Sequence, residues 1–177
     1  MFKKLTFLLA GAGLVILAAC NTDKCKDKNC GTNGTCNIVT GNCDCTLGYE
    51  GATCTTEART KFLGSGYNAT ESCGSVSSAG YTVDMTTIGN VTNFRISNFG
   101  NYGVDTNGDT QRDRGVNVDA TLVSADSFTV VTSSNDASVY TITGGGKFLS
   151  AGRVRFSYSC RNIAANTTDN CSGTLQR

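Results

Sequence analysis

The sequence predicts a mainly β protein: a small disulfide-rich module followed by an antiparallel eight-stranded β barrel or sandwich. Three observations carry that expectation. Six of the ten Cys crowd between Cys25 and Cys54. From Phe62 onward apolar and polar residues alternate with period two, most plainly in Val116/Val118/Ala120/Leu122 and Val154/Phe156/Tyr158/Cys160, the signature of half-buried strands. Pro is absent and Gly numbers 21, so the turns rest on Gly, Asn, Asp and Ser.

Composition removes several functions. The chain has 177 residues, a net charge of +1 and no His. Without His there is no Ser-His-Asp or Cys-His machinery and no His-ligated metal. A pI near 7.4 lacks the basic footprint of a nucleic-acid binder.

The first element is an export signal over residues 1–19. Lys3 and Lys4 precede an apolar run from Leu5 to Leu17, the layout of a secretory peptide. The run falls short of the roughly 20 residues of a membrane-spanning helix. It ends in Leu17-Ala18-Ala19-Cys20, which resembles the lipobox of bacterial lipoproteins. That resemblance implies cleavage before Cys20 and acylation of its thiol, with 20–24 as a lipidated tether and palmitate as the marker. Two acyl chains suffice for stable anchoring in a bilayer.

Residues 25–54 form the second element. The gaps between Cys25, Cys30, Cys36, Cys43, Cys45 and Cys54 are four, five, six, one and eight residues. In an exported chain this density reads as a disulfide framework. Six Cys allow 15 connectivities, and spacing alone does not choose among them. The stretches Gly31-Thr-Asn-Gly34-Thr-Cys36 and Cys43-Asp-Cys45-Thr-Leu-Gly48-Tyr49-Glu-Gly51-Ala-Thr-Cys54 resemble an EGF-like domain. The resemblance implies pairing Cys25–Cys36, Cys30–Cys43 and Cys45–Cys54, with Tyr49 on a small core. Many such domains bind calcium, but here Asp23 is the only upstream carboxylate and Asn37 sits one place early.

Residues 55–61 read as a polar linker with room for one helical turn. Residues 62–177 are then the antiparallel β domain. Its candidate strands are Gly66–Cys73, Tyr81–Thr87, Asn93–Phe99, Gly115–Val123, Ser127–Thr132, Val139–Thr143, Arg153–Cys160 and Cys171–Gln176. Its start, Phe62-Leu63-Gly64-Ser65-Gly66-Tyr67, weakly resembles a lipocalin-like barrel. The whole arrangement resembles short surface lipoproteins of Bacteroidetes-type bacteria, which implies an outer-membrane setting without fixing the side of the membrane.

Cys73, Cys160 and Cys171 remain. A hairpin would join Cys160 to Cys171. A closed barrel sets the first strand beside the last and joins Cys73 to Cys171, the pairing favoured because it ties the sheet shut. The loop Asp105-Thr-Asn107-Gly108-Asp109 with Asp113 resembles half of a calcium loop. It makes Asp105, Asn107, Asp109 and Asp113 the candidate ligands, although Val116 stands where the closing carboxylate belongs. Asn-Gly is equally a hairpin turn. No cofactor other than calcium is expected.

The expected function is that of a membrane-anchored cell-envelope binding module, with a bilayer and an unidentified protein or glycan as partners. It is not an enzyme: the clustered acids sit in a turn beside Arg112 and Arg114. The alternative is a lipocalin-like carrier with an apolar cavity lined by Tyr67, Phe94, Phe128 or Phe156.

Overall fold

The computed structural model describes residues 23–74, 76–77, 80–104, 114–133, 136–150 and 152–177. The Cys-rich segment holds four short strands: β1 (Gly34–Cys36), β2 (Cys43–Cys45), β3 (Tyr49–Glu50) and β4 (Thr56–Glu57). β1 pairs with β2, and β3 with β4, both antiparallel. Disulfides join Cys25 to Cys36, Cys30 to Cys43 and Cys45 to Cys54. Apolar burial contributes little here, since Ile38 and Val39 are 76% and 73% exposed. Covalent cross-links that restrict the unfolded chain supply the stability instead.

The 55–61 stretch is built into the fold rather than left as a free connector. After β4 it turns into a 3-10 helix, Ala58–Lys61, in which Ala58 is fully buried. Arg59 is the reason. Its Nη1 donates to the carbonyls of Ile88, Asn90 and Asn93 at 3.3, 2.6 and 2.9 Å, and its Nε donates to Glu57 at 2.9 Å. Lys61 donates to Glu50 and Asp126. Burial opposes its charge, yet those two carboxylates outweigh it and hold the Lys61 ammonium above its ordinary pKa. Gly48 completes the junction at φ +98°; a Cβ there would stand 2.7 Å from Val91.

The remaining strands are β5 (Gly64–Cys73), β6 (Val76–Ser77), β7 (Tyr81–Thr87), β8 (Asn93–Ser97), β9 (Gly103–Val104), β10 (Arg114–Gly115), β11 (Val118–Leu122), β12 (Ser127–Thr132), β13 (Tyr140–Ser150), β14 (Arg153–Asn162) and β15 (Thr167–Gln176). Eight of them make a closed antiparallel barrel in the order β5-β7-β8-β11-β12-β13-β14-β15, with β15 returning to pair with β5. A barrel, rather than a sandwich, removes every free edge. β6 folds back on the end of β5, and β9 pairs with β10 apart from the barrel.

Four strands extend beyond their sequence-based bounds, β5 by starting at Gly64. β13 runs through Gly144-Gly145-Gly146, and β14 and β15 lengthen to Asn162 and Thr167. A glycine run reads locally as a strand terminator. Here it is a close-packing device: a Cβ on Gly144 would lie 2.3 Å from the Ser157 carbonyl, and one on Gly145 would lie 2.4 Å from the Phe128 carbonyl. The Gly115–Val123 strand conversely divides, because Val116 and Asn117 leave the ladder between β10 and β11. Val116 bonds instead to Tyr102 and Phe99.

Side chains alternate inward along each strand and fill the barrel. At the end that receives the Cys-rich segment, Phe62 stacks on Phe94 with centroids 5.3 Å apart and meets Phe128 and Phe148 edge-on. At the other end, Phe99 packs on Phe156 and Tyr158 at 5.5 and 4.7 Å. Among the described residues no helix is long and apolar enough to cross a membrane.

Cys73 and Cys171 stand directly opposite one another on β5 and β15 and form the fourth disulfide. It joins residues 98 apart in sequence, so it restricts the unfolded chain strongly. Replacing both by Ala is expected to lower the unfolding free energy by about 2–5 kcal/mol, read from urea unfolding curves of the two proteins.

Candidate functional site

Inward alternation on β5 places Tyr67, Ala69, Glu71 and Cys73 toward the barrel interior, and Glu71 is only 7% exposed. A buried carboxylate is tolerated only when donors face it. The hydroxyls of Tyr81 on β7 and Tyr158 on β14 are among them, donating to Glu71 Oε2 at 3.0 and 2.9 Å. The Gly100 amide donates in turn to the Tyr81 oxygen at 3.1 Å. Burial, reinforced by the charge of Glu71, pushes both phenols well above their ordinary pKa, so they keep their protons.

Tyr102 and Cys160 adjoin this network. The Tyr102 hydroxyl lies 3.7 Å from the Cys171 sulfur, and the Tyr102 ring meets that of Tyr158 edge-on at 6.4 Å. Cys160 is free and buried. Burial pushes its thiol up to about 11 against the lowering effect of Tyr102. A thiol so placed is protonated at neutral pH and a poor nucleophile. The cluster therefore ties β5, β7 and β14 together across the barrel, and its protons are held rather than transferred. Sequence reasoning missed Glu71, although a carboxylate at an inward position of an alternating strand was the available signal.

The second feature lies outside. A groove of about 550 Å³ crosses β13, β14 and β15, within the size range of small-ligand sites. Gly145 leaves its middle without a side chain, Lys147 and Arg155 stand at its rim, and Ser157, Ser172 and Thr174 add hydroxyls. Phe128 and Phe156 also border it, but their side chains are buried in the core on the inner side of the sheet.

The candidates for a ligand cavity inside the barrel have a different place. Tyr67, Phe94, Phe128 and Phe156 are all buried in the core, with Phe94 and Phe128 in edge contact at 5.1 Å. They occupy the interior instead of lining a space. Arg177 lies over the Tyr67 ring, 5.9 Å from its centroid.

Cys20 and the loop residues Asp105, Asn107, Asp109 and Asp113 lie outside the described residues. Asp23 and Asn37 are described, and both are engaged. Asp23 accepts from the Cys25 amide, while Asn37 accepts from Val39 and Thr40 and donates to Asp44. Among the described residues no group of three or more His, Cys, Asp or Glu is placed to hold a metal ion.

No family model and no curated protein matches the chain. Several solved structures are similar at low identity. EF1p2_mFAP2b bound to DFHBI is 14% identical with a TM-score of 0.47, over 68% of this chain and 96% of that one. A redesigned β barrel, mFAP1, bound to DFHBI is 12% identical with a TM-score of 0.45, over 69% and 100%. A Bacteroides fragilis protein provisionally called an outer membrane protein is 12% identical with a TM-score of 0.40, over 68% and 52%.

The Cys160 thiol yields a pH prediction. Its folded pKa of about 11 exceeds the ordinary 9.0, so its contribution to stability is complete below pH 9 and is lost as pH rises through 11. At pH 8 the folded protein is expected to react with iodoacetamide about 100-fold more slowly than the denatured chain. Mass-spectrometric labelling rates in buffer and in denaturant, with the disulfides intact, measure the ratio.

Proposed function

We propose that this chain is a cell-envelope lipoprotein, anchored through acylated Cys20, whose barrel serves as a non-enzymatic binding module on an EGF-like base. The observation that carries the reading is the filled barrel beneath an open groove. With Tyr67, Phe94, Phe128 and Phe156 packed in the core, recognition falls to the outer wall, where Gly145, Lys147 and Arg155 shape a recess. The lipobox-like Leu17-Ala18-Ala19-Cys20 supports the anchor. The first-to-third, second-to-fourth and fifth-to-sixth disulfides support the EGF-like reading.

The base is a pedestal in this reading, not a flexible stalk. Arg59 and Lys61 lock it to one end of the barrel, so the barrel follows the anchor as a rigid extension. The buried thiol at Cys160 and the proton-holding tyrosines suit a structural cluster better than a reacting one.

Expression of the full chain in a bacterial host with labelled palmitate tests the anchor. The label is expected in the protein and in the membrane fraction, and both are expected to disappear in Cys20→Ser. Label that persists in Cys20→Ser, or no label at all, overturns the lipoprotein reading.

A further inference from the structure

We infer that the groove across β13, β14 and β15 is a binding site for an acidic saccharide, a sugar ring carrying a carboxylate or sulfate. This inference rests on the reading of the barrel as a binding module and names the chemistry of its ligand.

The argument starts from how the sheet sorts charge. Lys147 and Arg155 are directly opposite across β13 and β14, both exposed on the outer face. Like charges set directly opposite destabilise a sheet, and among the described residues neither makes an ion pair. β14 carries Arg153 and Arg161 outward on the same face. The register leaves no carboxylate at the outward positions of β13, β14 or β15: their one acid, Asp169, is exposed but stands opposite the inward-facing Cys160. The outward positions of the flanking β5 and β12, from Asn68 to Ser72 and from Ser127 to Val131, are uncharged too. Elsewhere on the barrel an outward cation meets an acid, as Arg95 does with Asp119 at 2.7 Å. A chain with net charge +1 thus gathers four uncompensated cations on one wall.

The shape selects the ligand class. Phosphate alone would leave the recess largely empty, and a flat bilayer would not enter it. A pyranose fits a recess of about 550 Å³, lying over the bare Gly145 backbone. Its acid group then reaches Lys147 and Arg155, whose charge-assisted hydrogen bonds are the strong ones. Ser157 and Ser172 in the recess are set to bond its hydroxyls.

Calorimetric titration of the full chain in detergent tests the inference. The probes are a galacturonate trisaccharide, a sulfated galactose oligosaccharide and the neutral galactose trisaccharide. At least one acidic sugar is expected to bind, at least about tenfold more tightly than the neutral one. Lys147→Ala with Arg155→Ala is expected to weaken it about tenfold or more, while Arg161→Ala, away from the recess, stays within about twofold. Equal binding of acidic and neutral sugars, no binding of either acidic sugar, or unchanged affinity in the double variant overturns the inference. So does displacement of the sugar by phosphatidylglycerol vesicles in the Cys20→Ser chain, which would assign the cations to a membrane surface. Unfolding curves show that the variants are folded. Palmitate incorporation does not depend on the groove, so failure of the saccharide leaves the anchor standing, and the reverse.

Discussion

The pairing of β5 with β15 is the constraint on which the rest of the barrel depends. It joins the first strand to the last across most of the domain sequence, and the Cys73–Cys171 bridge sits within its register. Without it the sheet keeps two edges, each a row of unsatisfied backbone groups. With it, Glu71 turns inward to meet Tyr81 and Tyr158. The same closure holds Cys160 against the Tyr102 hydroxyl and away from solvent. The bridge chosen by the barrel also settles the odd cysteine: Cys160 has no partner because Cys171 belongs to Cys73.

The barrel spends its volume on packing. Phe62, Phe94, Phe128 and Phe148 form one aromatic cluster, and Phe99, Phe156 and Tyr158 another. Gly146 lets the Phe128 ring approach its backbone, where a Cβ would stand 2.5 Å from the ring, and Gly144 and Gly173 let neighbouring strands approach closely. That filling has an outward consequence. Where β13 dispenses with side chains, the wall is left recessed between long cationic neighbours. The packing that closes the interior is therefore what opens a recess on the outside.

A second economy concerns the junction with the Cys-rich segment. Three disulfides make that segment rigid within itself, and Arg59 and Lys61 make it rigid against the barrel. A guanidinium whose Nη1 meets three carbonyls while its Nε meets Glu57 fixes an orientation better than a single ion pair could, because the planar fork holds both nitrogens at once. The acids nearby, Glu50, Glu57 and Asp126, are used at this junction.

The sequence by itself determined the β class, the eight barrel strands and most of their positions, since period-two alternation is a local property that the pleat enforces. It also reached the Cys73–Cys171 bridge, from the single premise that a closed barrel sets its first strand beside its last. The tertiary structure decided what local pattern could not. Gly144-Gly145-Gly146 reads as a break until Phe128 and Tyr158 are seen against it. Thr55–Lys61 reads as a polar linker until Arg59 finds three carbonyls some thirty residues away. Alternation sets Glu71 inward but does not name the two distant tyrosines that face it, and the groove becomes visible only once register sets Lys147 opposite Arg155. In each case the deciding partner lies far along the chain. Alternation fixes which face a residue takes, but only closure of the sheet fixes what that face meets.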